Sequence, residues 1–144
     1  MKALIVNRLD EWISRVRSAG AAAAFTFIPG FPAHKTPSPI TNYTVAVTES
    51  FDKASRFFIG NRIFPGRSGS IHEIELRLRV YAPEGSSGSS LLRASTLLMN
   101  ALEAQDSENA IDSLILSGIG YDTAARVEYR DVIARMSMIE EAAV

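Results

Sequence analysis

"SIHEIELRLRVYAPEGSSGSSLLRAS", residues 70–95, changes its hydrophobic period partway along. The first half alternates strictly: Ile74, Leu76, Leu78 and Val80 take one parity, Glu73, Glu75, Arg77 and Arg79 the other. Successive side chains of an extended chain point to opposite faces, so the pattern predicts a strand over Ile71–Tyr81 with one apolar and one charged face. Ala82-Pro83 ends it, since proline has no amide to give a ladder. Beyond the glycine-serine run the spacing lengthens. Leu91, Ser95, Leu98 and Leu102, widened by Leu92, Ala94, Met99 and Ala101, form a stripe that predicts a helix over Ser89–Ala104, with Ser89 or Ser90 as its N-cap.

The connection "GSSGSS", residues 85–90, invites a phosphate-loop reading, and its neighbours argue against one. A Walker loop needs lysine after its last glycine to reach the terminal phosphates; counted from Gly85, Leu91 stands where that lysine should be. A dinucleotide-binding loop follows a buried, nearly all-apolar strand, whereas this strand carries four charges on one side and is followed by Pro83-Glu84. The run reads as a flexible strand-to-helix connector capped by serine.

Working outward, "AQDSEN" ends the helix and "AIDSLILSGIGY" reads as a strand. Asp122-Thr123 is a turn, and "ARVEYRDVIARMSMIEE" is a long final strand. Its two apolar runs, Val127 to Arg135 on odd positions and Val132 to Met138 on even ones, share a face only if a bulge sits near Arg130-Asp131. Upstream, Ile5, Leu9, Trp12, Ile13 and Val16 make the stripe of an amphipathic helix over residues 2–18, with Gly20 as its C-cap. Ala24–Ile28 has the makings of a short strand. Residues 29–42 form a proline-rich extended loop holding Pro29, Pro32, Pro37 and Pro39. "NYTVAVTES" alternates as a strand, Ala54–Ile59 reads as another, and residues 60–70 read as a long hairpin loop. The order is a helix, two or three strands, a helix and two strands, written α-β-β-β-α-β-β. Hairpin-like succession makes the sheet mostly antiparallel, and the two apolar helix stripes cover one of its faces. The expected fold is α+β, in a single domain spanning 1–144.

Bulk properties narrow the function. A chain of 144 residues with 47% hydrophobic and 22% charged residues is sized and composed for one packed domain. The formal net charge of -1 does not fit a nucleic-acid binder, which is usually clearly basic, so no sequence-specific nucleic-acid partner is expected. No cysteine is present, so neither disulfides nor thiolate metal sites arise. The N-terminal apolar run stops at Asn7-Arg8, short of a signal-peptide core, and no uncharged stretch reaches the length of a membrane span, so the expectation is a soluble cytoplasmic protein without a membrane partner.

Chemistry-bearing residues are sparse and scattered. His34 and His72 have no nearby ligand or catalytic spacing, and each reads as a surface residue. The carboxylate pairs Asp10/Glu11, Glu73/Glu75 and Glu140/Glu141 show no sign of isolation in an apolar pocket. No catalytic residue, metal ligand or cofactor site is assigned, and the chain is not expected to be an enzyme. Arginine outnumbers lysine twelve to three, and its planar fork suits contacts between proteins. Of the phenylalanines before and within the early strands, Phe31 and Phe64 fall in loops and are the ones placed to dock a partner.

The strand ending "LRLRVYAPEG", the covering helix and "GIGYDTAARVEYRDVIARMSM" together resemble the tail terminator, or tail completion, proteins of tailed bacteriophages and prophage-derived particles. The matching elements are Leu76–Pro83, Ser89–Ala104, Tyr121–Arg126 and Val127–Met138, and "TNYTVAVTESF" is similar to the family's early central strand. The resemblance runs from about Tyr43 onward and rests on element order and short strings. It implies a homo-oligomeric ring, typically hexameric, that caps the tail tube, stops its polymerisation and joins it to the head connector or neck protein. It implies assembly in the host cytoplasm and residence in the virion tail, with no catalytic residues. Under it, Phe31, Arg62, Phe64, Arg67, Glu73, Glu75, Arg77 and Arg79 are candidates for a subunit or tube interface. A head-tail joining or neck protein, and a small α+β ligand-binding domain or enzyme, are the alternatives. The run Ala21–Ala24 has no account.

Overall fold

The computed structural model describes residues 2–19, 25–29, 42–58, 67–83, 85–86 and 88–143. The four-alanine run, Gly20, the proline-rich segment from 30 to 41 and the loop 59–66 lie outside the described residues, and Phe31, His34, Arg62 and Phe64 lie there too. The elements are α1 (Lys2–Ser18), β1 (Thr26–Pro29), β2 (Thr44–Phe58), β3 (Arg67–Tyr81), α2 (Gly88–Ala104), β4 (Ile111–Asp122) and β5 (Val127–Ala143). They make a five-stranded sheet in the order β1-β2-β3-β5-β4. β1 runs parallel to β2; every other pairing is antiparallel. The fold is α+β in the order α-β-β-β-α-β-β.

Both helices pack on one sheet face. Leu9, Trp12 and Val16 of α1 and Leu91, Leu98 and Leu102 of α2 meet Ile74, Leu76, Leu78 and Val80 of β3 and Val132, Ala134, Met136 and Met138 of β5. Burying each large apolar side chain contributes about 1.5–3 kcal/mol, so this layer is the main source of stability. Polar bonds fix the helices in place. The Trp12 indole Nε1 donates to the Leu102 carbonyl at 3.2 Å. Arg130 passes under α2, donating from Nη1 to Ser95 Oγ at 3.0 Å and from Nε to the Ser117 carbonyl at 2.8 Å.

Several boundaries differ from those read in the sequence, each for a local reason. The segments read as separate strands, "NYTVAVTES" and the one from Ala54, fall in one strand, β2, from Thr44 to Phe58. Its register passes from Glu49↔Leu76 to Phe51↔Glu75, so β2 advances two residues while β3 advances one. That bulge throws the two alternating runs out of phase, which is why they read as separate strands. β3 begins at Arg67, so residues 67–70 are strand and not loop. Gly69 pairs on both sides, with Phe57 and Glu141, through backbone groups that need no apolar side chain. β5 holds unbroken register with β3 from Tyr81↔Tyr129 to Arg67↔Ala143. β5 itself has no bulge at Arg130-Asp131, and its two apolar runs face opposite sides of the sheet. The irregularities fall on β4 instead, between Ile111 and Ser113 and between Leu116 and Ile119. The glycine-serine connector opens as a closed turn: the Ser86 amide donates to the Pro83 carbonyl at 3.1 Å, and Gly85 takes φ of 84°.

The sheet is longer than its cover. Strands of 15 to 17 residues extend roughly 50 Å at about 3.3 Å per residue. The 17-residue helices extend only about 25 Å at 1.5 Å per residue. β1 pairs with β2 only at Thr44–Val47, and the β4 ladder on β5 reaches Met136. Past those points β2, β3 and β5 continue as a three-stranded ribbon through residues 53–58, 67–73 and 137–143.

Candidate functional site

Strand parity places Glu73, Glu75, Arg77 and Arg79 on the face away from both helices, as the alternation of β3 requires. The β3–β5 register adds Ser137, Arg135, Ile133 and Asp131 opposite them in turn. Lys53, Thr48 and Ala46 of β2 lie opposite Glu73, Arg77 and Arg79. Among the described residues, no helix covers this face.

The charges here are organised in pairs. Asp131 is buried, 6% exposed, and Arg79 grips it with two parallel bonds, Nε to Oδ1 at 2.8 Å and Nη2 to Oδ2 at 3.1 Å. The Arg79 guanidinium also lies over the Tyr129 ring, 3.9 Å from its centroid, and Tyr129 tilts against Tyr81 at 6.0 Å. The hydrogen bond to Asp131 raises the Arg79 pKa above its usual value against the opposing effect of burial. The guanidinium is cationic at neutral pH in any case, and the carboxylate strengthens that state. Arg77 is a second guanidinium beside the same carboxylate, its Nε 3.8 Å from Oδ2. That nitrogen is buried and has no hydrogen-bond partner among the described residues. Further along, Arg135 Nε donates to Glu75 Oε1 at 3.0 Å. Glu73 is exposed and makes no ion pair among the described residues, with Lys53 and Ser137 opposite it.

Two apolar features share this face. Ala46, Tyr81, Ala125 and Val127 form a small buried cluster at the β1 end. At the ribbon end, Ile71 and Ile139 lie opposite each other, 37% and 58% exposed. Where β4 shifts register against β5, an open cleft of about 580 Å³ is lined by Glu73, Glu75, Asp112, Ser113, Arg135 and Ser137, with Ile74 and Met136. Its polar groups are largely engaged with one another: Glu75 with Arg135, and Asp112 accepting from the Ser137 hydroxyl.

His72 is not a surface residue. It shares parity with Ile74 to Val80, so it turns toward the helices, 7% exposed, with Nδ1 3.2 Å from Asp52 Oδ1. Asp52 is its only hydrogen-bond partner among the described residues, so an orienting acid is present without a nucleophile. Among the described residues no group of three or more His, Cys, Asp or Glu side chains is arranged to hold a metal ion, and no helix is long and apolar enough to cross a membrane.

The structure thus brings together four of the eight interface candidates, Glu73, Glu75, Arg77 and Arg79. Arg67 belongs to β3 opposite Ala143, and Phe31, Arg62 and Phe64 lie outside the described residues. Asp131, Tyr129 and Arg135 complete the face and are absent from that set. Their odd-numbered alternation along β5 was a usable signal once β5 is placed beside β3. No protein-family model matches the chain, and no curated protein matches it either.

Proposed function

We propose that this chain is a structural subunit of a phage or prophage tail, a tail terminator that forms a ring, caps the tail tube, stops its growth and joins it to the head connector. The observation that carries the reading is a long sheet that, among the described residues, is clad by helices on one side only, its other face laid with fixed ion pairs. A charged face held rigid by neighbouring strands is suited to meeting water in a ring lumen or the polar end of a tube. The resemblance of the element order and short strings to the terminator family points the same way. In this reading Glu73, Glu75, Arg77 and Arg79 turn toward the ring axis or the tube.

Size-exclusion chromatography with light scattering, alone and with tail-tube subunits added, tests the proposal. The expected result is a closed oligomer, either free or on the tube ends, and shortened tubes. A strict monomer under both conditions, with tube growth unaffected, would falsify it. Head-tail joining is the competing assembly role, and pull-down on connector subunits but not on tube subunits would favour it.

A further inference from the structure

The ribbon of β2, β3 and β5 has two outer edges, and among the described residues both run on past their short neighbours. The outer edge of β2 meets β1 only at 44–47, leaving 48–58 without a ladder partner among the described residues. On the other side, the Ser137 amide donates to the Ala110 carbonyl, and from 138 to 143 the outer edge of β5 has no ladder partner among the described residues. Exposed backbone donors and acceptors in a row are a template for another strand, and folded proteins normally shorten, charge or cover such edges.

We propose that a second copy of this chain is the occupant: the free edge of β5 in one copy pairs with the free edge of β2 in the next. The inference rests on the ring reading and specifies the contact that would close the ring. Four observations carry it. The two edges lie on opposite sides of one ribbon and at the same end of the sheet, so each copy offers one of each kind and the contact is heterologous, the type that closes into rings. Where the two edges lie at the same level the sequence is complementary: residues 53–58 contain Lys53 and Arg56 and no acid, while 138–143 contain Glu140 and Glu141 and no base; the acids of the β2 edge, Glu49 and Asp52, lie farther from the ribbon's end. Ile139, on the outermost strand of the ribbon, is 58% exposed and would be packed on one side by the incoming strand. Finally, the helices crowd only one face, so a curved ring has room for them on its convex side and turns the ion-paired face inward.

Topology sets the strand direction. β2 and β5 both run antiparallel to β3, hence parallel to each other. Rotation about a ring axis preserves direction, so β5 meets the next copy's β2 in parallel. A two-fold dimer would instead pair an edge with its own copy, antiparallel. Strand number also sets shape. At about 4.8 Å between strands, three strands give each copy about 14 Å of circumference at the ribbon end, and five strands about 24 Å at the other. The ring is therefore a truncated cone with its narrow mouth at the ribbon.

The absence of cysteine makes the test clean. Lys53→Cys and Ile139→Cys, each exposed and each on a different edge, are made singly and together and treated with a short bis-maleimide; only links between chains, read by gel mobility, are counted, because the two residues also share one face of a single ribbon with β3 between them. Circular dichroism and melting establish that all three variants fold. The expected result is a covalent ladder running to a closed species for the double variant and no crosslinked dimer for either single one. Dimers from a single variant would overturn the proposal in favour of two-fold pairing. No crosslinking of the double variant, while light scattering still finds a closed oligomer, would overturn the edge contact and leave the ring reading standing. A monomer under every condition, tube subunits included, would remove both.

Discussion

Replacing Asp131 with alanine removes the anchor of the bare sheet face while leaving the helical core untouched. Asp131 is 6% exposed and accepts two bonds from Arg79, at 2.8 and 3.1 Å. Breaking a buried pair by removing one partner costs about 3–5 kcal/mol. The Arg79 side chain is 23% exposed, so water recovers part of its lost solvation, and the expected loss sits at the low end, about 3 kcal/mol. For a chain of this size about 1 kcal/mol moves Tm by roughly 2–4 °C, so the melt should fall by roughly 6–12 °C. Thermal melts and urea unfolding measure it, and an unchanged m value shows that the loss belongs to the folded state. Arg79→Met should cost about as much, whereas Arg77→Met should cost under about 1 kcal/mol. Arg77 is 42% exposed and 3.8 Å from the carboxylate, the geometry of a weak surface pair. A loss under about 1 kcal/mol for Asp131→Ala, or equal losses for the two arginines, would refute the assignment of Arg79 as the residue that holds this face.

Other perturbations probe separate parts of the structure. Arg77→Glu should leave self-association within about two-fold and weaken tube capping, read by tube length; a ten-fold loss of self-association, about 1.4 kcal/mol, would put this face between copies instead. A Cβ at Gly120 would stand 2.5 Å from Tyr129 Cζ, so Gly120→Ala should drive the ring off Arg79 and cost about 1–3 kcal/mol, with Tyr129→Ala added in a double-mutant cycle to show the coupling. Asp106 accepts from the Ala110 and Ile111 amides at 2.9 Å each. Asp106→Ala should lower urea stability by about 1–2 kcal/mol by freeing the entry to β4.

How much was legible varied with how local the signal is. The strand at Ile74–Val80 and the helix at Leu91–Leu102 were readable because a single buried face imposes one period on consecutive residues. The bulge at Glu49–Phe51 was not, because an extra residue shows itself only against a partner strand, which sequence spacing does not identify. The supposed bulge in β5 came from the same gap. Two apolar parities look contradictory until Tyr129 is found packing on the bare side of the sheet, with Val132 to Met138 under the helices. His72 was legible in principle from its parity with Ile74, but its distance along the chain from Asp52 hid the pair.

The sequence alone determined the periods: two amphipathic helices, alternating strands and a row of charges on one side of β3. Hydrophobic burial is short-ranged along the chain, so pattern is enough to fix which residues face inward. Only the tertiary structure decided the partners. It set β5, not β4, beside β3, and so placed Asp131 against Arg79 and left β2 and β5 as the ribbon's outer edges. Strand order and register are choices among distant segments, settled by the packing of the whole sheet, and no local spacing in the chain records them.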